Sequence, residues 1–415
     1  MIDLELDVES IRRDFPILDQ VIGGRKLVYL DNAATTHKPR QVVERVVEVY
    51  YKHYSNVHRG HHSLSEISTE LYEEAHRAVA RFIGARFWEE IVLTFNTTTA
   101  INAIAVPLLE KTSREGRKKV LLTQMEHHSN MLPWRRAAKL LGCEISYIPV
   151  KRSGLLDFEK ALELLNDDVG VLAISHASNV TGVINDVRLL ARRAHEYGIV
   201  VVVDGAQSAP HLKINVNDLE VDFFAFSGHK MLAPEGTGVL YGRRELLEEL
   251  EPWFVGGGAV RRVTVDDVIY EDLPWRFEPG TPDVAGAAGL IEAVKYLERV
   301  GMERLHSHEA KLLRLAREIL ANDERVILYQ PAEPEKHTGI LAFNVRGINC
   351  HVVGKILNDF YGVAVRTGLH CAHPYHVAIG APDGTVRASF YLYNTAEEIE
   401  YFAEAVREIA RKYSK

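Results

Sequence analysis

Between about residues 90 and 240, short apolar runs alternate with amphipathic stretches. The runs are Ile91-Val-Leu-Thr94, Val120-Leu-Leu-Thr123, Val169-Gly-Val-Leu-Ala-Ile174, Ile199-Val-Val-Val-Val-Asp204, Val221-Asp-Phe-Phe-Ala-Phe226 and Gly238-Val-Leu-Tyr241. Each is brief, β-branched or aromatic, and bounded by polar turn residues, which predicts a buried strand. The intervening segments have helical spacing, as in Val187 to Tyr197, where Gly198 supplies a stop signal. Strand, helix, strand in this rhythm predicts crossover connections: an α/β fold with a mainly parallel central sheet and helices on both faces. Such sheets bind ligands beyond the carboxyl ends of their strands. Candidate chemistry is therefore expected just after each apolar run.

The pattern changes further on. Residues 284–321 read as helical with a break at Gly301, followed by short strands at Val326–Tyr329, Ile340–Asn344, Val363–Arg366 and Val386–Phe390. A helix near 350–359 and a final amphipathic helix from about 395 complete the chain. This mixture predicts a smaller α+β domain made of residues 296–415 with residues 1–25 folded onto it, beside a large domain of residues 26–295. The Gly/Pro-rich stretch from Val255 to Pro282 lacks periodicity, and a loop of that length serves function or an interface.

Composition narrows the classes. The chain has 415 residues, 47% hydrophobic and 26% charged, which excludes disordered and fibrous classes. The net charge of −8 argues against nucleic-acid or anionic-membrane partners. Three cysteines, Cys143, Cys350 and Cys371, are too few for a disulfide framework and fit a reducing, cytoplasmic setting. The acidic start shows no signal-peptide pattern. No apolar run approaches the roughly 18 residues of a membrane span.

Asp204 ends the most hydrophobic run, and a carboxylate there calls for a cationic partner; a helix cap or a buried ion pair would also explain it. The next run leads into Ser227-Gly-His229-Lys230. A lysine in a tight pocket can lose its proton near neutrality, which suits Schiff-base chemistry, although most lysines are simply solvated. Together they match pyridoxal 5′-phosphate, which needs an amine for its aldehyde and an acid for its ring nitrogen. Gln207 can donate to the ring phenolate as a neutral group, and a ring from Glu126-His127-His128 can cover its face. Asn96-Thr97-Thr98-Thr99, at a predicted helix start, offers hydroxyls and N–H groups for the phosphate. Cys371 lies in the basic loop Arg366-Thr-Gly-Leu-His-Cys371-Ala-His-Pro374, where neighbouring cations favour thiolate. Arg387 is suited to a substrate carboxylate or to an ion pair.

Nearly end to end, from Tyr29-Leu-Asp-Asn-Ala-Ala-Thr35 to the Arg387-Ala-Ser-Phe-Tyr-Leu-Tyr-Asn394 stretch, the sequence resembles the cysteine desulfurases of the class V aminotransferase superfamily, in particular the group II, SufS-like branch. Met125-Glu-His127-His-Ser-Asn, Ser178-Asn179-Val-Thr-Gly, Asp204-Gly-Ala-Gln207, Ser227-Gly-His229-Lys230 and the Arg366 to Cys371 loop carry the likeness. The resemblance implies a fold type I, aspartate-aminotransferase-like transferase that takes L-cysteine to L-alanine and leaves a persulfide on Cys371. Lys230 would anchor the cofactor, Asp204 pair with its ring nitrogen, Gln207 contact its phenolate and His127 stack on the ring. Thr98, Ser227 and His229 would hold the phosphate, with Thr97 close by. Asn179 and Arg387 would grip the substrate carboxylate, with Arg366 and His58 in the substrate pocket. Thr281 would reach the phosphate of a neighbouring subunit, which implies a homodimer. The sulfur would pass to an acceptor protein or an iron–sulfur scaffold. A selenocysteine lyase or another class V enzyme is the alternative. A metal-binding role through His58-x-x-His61-His62 or His370-Cys371-x-His373-x-x-His376 is a distant one, and no metal is expected. Two positions depart from the common pattern: Asn96 stands where relatives carry Gly, and Leu369 where many carry His.

Overall fold

The computed structural model describes residues 5–329 and 333–414. Seven strands form the central sheet: β1 (Ile91–Thr94), β2 (Lys119–Thr123), β3 (Glu144–Ile148), β4 (Val169–Ser175), β5 (Val200–Asp204), β6 (Phe223–Ser227) and β7 (Gly238–Gly242). Their order is β1-β7-β6-β5-β4-β2-β3. All neighbouring pairs from β6 to β3 are parallel, and β7 runs antiparallel to both β1 and β6.

Successive residues of the strands serve opposite faces. Leu121, Leu172, Val201, Val203 and Phe224 belong to one core, with the helices Ser63–Ile83 and Val284–Val300. Leu122, Ala173, Val202 and Ala225 belong to the other, under Thr97–Arg114 and His128–Leu141. Burial on both faces is why these strands read as continuous apolar runs. β3 escaped that reading because it is an edge strand with an exposed, polar start at Glu144. The expected unstructured stretch at 255–282 holds an exposed hairpin, Val260–Val263 with Val268–Tyr270.

A second, antiparallel sheet contains β8 (Val326–Leu328), β9 (Ile340–Val345), β10 (Arg366–Gly368) and β11 (Thr385–Ser389), in the order β8-β9-β11-β10. Its core includes Leu313, Phe343, Val353 and Phe402. Val28 and Leu30 join this core, and Val28–Tyr29 pairs with Val363–Ala364. Phe15 instead packs on Tyr296 and Tyr393, with centroids at 5.9 and 4.8 Å. Asp31 forms a bridge beside Ser389 of β11. The two bodies meet at the carboxyl ends of the central strands, where Tyr375 donates to Gly154 O at 2.7 Å and shares a 2.8 Å bond with Thr181.

Candidate active site

Asp204 is the last residue of β5, and Lys230 ends the short 3₁₀ turn that follows β6, the adjacent parallel strand. Gly205 lets the chain turn here: a side chain would begin 2.1 Å from the Phe224 ring. The Asp204 carboxylate is buried and accepts from Ala206 N at 2.9 Å, without an ion pair among the described residues. Burial raises its pKa, while the Ala206 N–H and the Lys230 charge oppose the rise. Burial likewise drives the Lys230 amine down to about 8, against the opposing pull of Asp204.

The N-terminus of the helix Thr97–Arg114 faces the same space. Ser227 Oγ accepts from Thr97 N at 2.9 Å and lies 2.7 Å from Thr97 Oγ1. Thr98 Oγ1 lies 2.7 Å from Ser129 Oγ. Asn96 occupies its turn without strain, because its backbone is extended (φ −176°, ψ 176°). Its side chain closes a capping box: Thr99 N donates to Asn96 Oδ1, and Asn96 N donates to Thr99 Oγ1, both at 3.0 Å. Gly238 of β7 backs this turn; a Cβ there would lie 2.4 Å from the Asn96 backbone.

His127 begins the helix after β2, with Ser129 N donating to its Nδ1 at 3.1 Å. Burial first, and then the Lys230 charge, push it down to about 3, so the ring is neutral. Glu126, beside it, is a residue the sequence reading passed over. It is fully buried and accepts from Thr123 Oγ1 (2.5 Å), Ser175 N (3.0 Å), Ser175 Oγ (2.7 Å) and Asn130 Nδ2 (2.6 Å). It ties the ends of β2 and β4 to the helix that carries His127. Burial raises its pKa to about 7 despite these donors. A carboxylate directly after a strand was the available signal.

The second body supplies the opposite wall. Cys371 is exposed, and it and His370 both have left-handed backbones, φ 54° and 44°. Two successive non-glycine residues in this region store strain, so the turn must be held. Asn179 Nδ2 donates to His370 O at 2.7 Å, and His128 N donates to Cys371 O at 2.8 Å. His370 Nε2 lies 3.0 Å from Thr385 Oγ1, and burial pushes the imidazole far below its usual range. Leu369 contributes its carbonyl to Ala372 N. Arg387 is buried on β11, donates to Asn179 O at 2.8 Å and sits 3.5 Å from Asp31. Arg366 holds Asp31 at 2.7 Å.

One cavity of about 460 Å³ collects these groups: Lys230, Asp204 and Gln207, which we call its floor, Thr97, Thr98, Ser227 and His229 around the helix start, and His127. Asn179, Arg366, Arg387 and Cys371 form the far wall. Two expected residues stand elsewhere in this chain. His58 packs edge-on against Trp275 at 4.5 Å, in an aromatic cluster with Tyr72. Thr281 is exposed and lines a separate apolar cavity with Tyr50, Tyr54, Phe95 and Phe254. Among the described residues, no group of three or more His, Cys, Asp or Glu side chains could hold a metal ion, so the histidine motifs form no such cluster.

The cavity fits pyridoxal 5′-phosphate. It holds an amine with a lowered pKa and, among the described residues, a buried carboxylate without an ion pair and a buried Gln207 Oε1 without a partner, while Gln207 Nε2 donates to Ala33 O at 2.7 Å. A cluster of hydroxyls and N–H groups stands at a helix start. Lys230 would bond the aldehyde, Asp204 the ring nitrogen, and Thr97, Thr98 and Ser227 would lie around the phosphate.

The chain is similar to known proteins along nearly its whole length. A probable cysteine desulfurase of Halobacterium salinarum is 45% identical over 97% of this chain and 96% of its own. One of Staphylococcus aureus is 42% identical over 100% and 99%. Among solved structures, a cysteine desulfurase from Thermococcus onnurineus in its apo form superposes with a TM-score of 0.92 at 41% identity, covering 99% of this chain and 100% of that one. The cysteine desulfurase CsdA from Escherichia coli gives 0.88 at 35%, with 98% of each chain covered. The aminotransferase class-V family pattern matches residues 28–402, and the chain belongs to that family.

Proposed function

We propose that this protein is a pyridoxal-phosphate-dependent cysteine desulfurase that converts L-cysteine to L-alanine and collects the sulfur on Cys371. The observation that carries this reading is the joint placement of Lys230, Asp204 and Cys371 around one cavity. The nearly full-length relatives named cysteine desulfurase support it.

When bound, the cofactor supplies an aldehyde for amines and a ring that withdraws electrons from the substrate α-carbon. Lys230 would hold it, and its amine, with a pKa near 8, is suited to take and return protons at that carbon. Asp204, which has no ion pair among the described residues, would hold the ring nitrogen protonated. Neutral His127 would cover the ring without adding charge. Arg387 and Asn179 bind the substrate carboxylate, next to Arg366. The Cys371 thiolate attacks the substrate sulfur: an S–S bond forms and the Cβ–S bond breaks. The electron pair stays on the carbon fragment, which is protonated and released as alanine. The persulfide then passes to an acceptor protein or iron–sulfur scaffold, and the exposure of Cys371 supports such a transfer.

A homodimer completes this reading. Tyr50, Tyr54 and Phe95 are 58%, 50% and 67% exposed beside Thr281, an apolar surface that a second copy would cover while presenting Thr281 and His58 to its partner's site. All three cysteines are unpaired, which supports a reducing, cytoplasmic setting. No helix among the described residues is long and apolar enough to cross a membrane. The test is a visible absorbance spectrum of the purified protein before and after L-cysteine, with alanine and sulfide measured alongside. A spectral change with both products is expected; no change and no alanine would contradict the reading.

A further inference from the structure

Arg366 and Arg387 are direct partners across the antiparallel pair β10 and β11, so their side chains leave the sheet on the same face. Like charges facing each other in this way repel. Asp31 resolves the conflict. Arg366 Nε donates to both its oxygens at 3.1 Å, and Arg366 Nη2 donates to Oδ2 at 2.7 Å. On the other side Oδ1 stands 3.5 Å from Arg387 Nη2. The Asp31 side chain is only 14% exposed, and that of Arg387 only 4%. Both arginines line the cavity of Lys230, and Asp31 is not part of its lining. Its place is fixed by the bridge to Ser389 and by Ser389 N donating to Leu30 O at 2.8 Å. Arg387 Nη1 is committed to Asn179 O, and its buried Nε has no partner among the described residues.

We propose that Asp31 is a specificity-determining positioning residue: by neutralising one of two facing arginines, it leaves a single net positive charge for the amino-acid carboxylate and selects monocarboxylic over dicarboxylic amino acids. This rests on the reading of the cavity as an amino-acid site and adds to it the charge class admitted. With two uncompensated guanidinium groups the wall would carry two positive charges and attract a second substrate carboxylate. With Asp31 in place, a second carboxylate meets a filled position and a like charge. Burial lowers the pKa of Arg387 to about 10, and Asp31 counteracts that fall, keeping the remaining charge in place.

The test uses the holoprotein at fixed ionic strength and titration calorimetry with L-alanine and L-aspartate, which share a headgroup and differ by one carboxylate. The wild type is expected to bind alanine more tightly. In Asp31→Asn the ratio of aspartate to alanine dissociation constants should fall about tenfold, the scale of one unit charge at the effective dielectric of a partly buried site. Asp31→Glu, which keeps the charge, should hold the ratio within about twofold. Arg366→Gln, which leaves Asp31 itself unchanged, should raise it, because the wall loses a positive charge. A ratio unchanged in Asp31→Asn, or lowered equally by Asp31→Glu, would overturn the proposal by showing that the carboxylate only holds the segment in place. Wild type that binds neither amino acid would instead remove the reading of the cavity as an amino-acid site.

Discussion

Asp204 and Lys230 stand at the ends of two adjacent strands in the interior of the central sheet, whereas Cys371 stands on an exposed turn between β10 and the helix His373–Ile379. The first pair is fixed by the sheet: neighbouring apolar residues bury both faces, and the low dielectric there shifts the two pKa values. The cysteine turn has no such frame. It carries two strained residues and is held by single hydrogen bonds from Asn179 and His128. Under the proposed function a rigid floor would hold one cofactor orientation, and a thiol on a turn pinned at two carbonyls would be free to meet a substrate on one side and an acceptor on the other.

The sharpest break in this comparison is between Lys230→Ala and Cys371→Ser. Lys230→Ala should lose turnover by roughly 10³-fold or more, together with the visible absorbance of a bound cofactor. Cys371→Ser should retain that absorbance and still lose persulfide formation. Loss of cofactor in the cysteine variant would show that floor and wall are not independent.

Glu126→Ala should come next. It leaves four buried donors without an acceptor and should lower stability by about 2–4 kcal/mol, read by denaturant unfolding. A change under 0.5 kcal/mol, of the order seen at ordinary surface sites, would show that the network beneath His127 adds little.

The lowered pKa of Lys230 gives a signed pH effect. Its neutral fraction rises with pH through about 8, so capture of pyridoxal 5′-phosphate by cofactor-free protein should accelerate about tenfold from about pH 7 to about pH 9 and then level off. A rate still climbing toward the range of an ordinary lysine would contradict the burial argument. The smallest effect is expected for Asn96→Ala, which removes a helix cap and should cost about 1 kcal/mol.

The central strands were legible because burial on both faces writes itself as unbroken β-branched and aromatic runs, and the chemistry sits where those runs end. Asp204, Lys230 and the Thr97–Thr98 turn were legible for that reason. Asp31 and Glu126 were not read as site residues. Each works through partners distant in sequence, Asp31 through arginines more than 300 residues away and Glu126 through Ser175. β3 was lost because an edge strand mixes polar with apolar positions, and the strained backbone at His370 and Cys371 has no glycine to announce it. The place of His58 outside the cavity of its own chain had no signal in the pattern, whereas Thr281 is expected from the resemblance to serve a neighbouring subunit.

The most direct test of the account follows the sulfur itself. Protein reacted with one equivalent of L-cysteine, without reductant, is digested and the peptide carrying Cys371 is weighed. The account predicts one added sulfur atom on that peptide, matched by an equal amount of alanine. Alanine and free sulfide formed while the Cys371 peptide stays unmodified and no transient persulfide can be trapped, with Cys371→Ser making alanine at the wild-type rate, would contradict it.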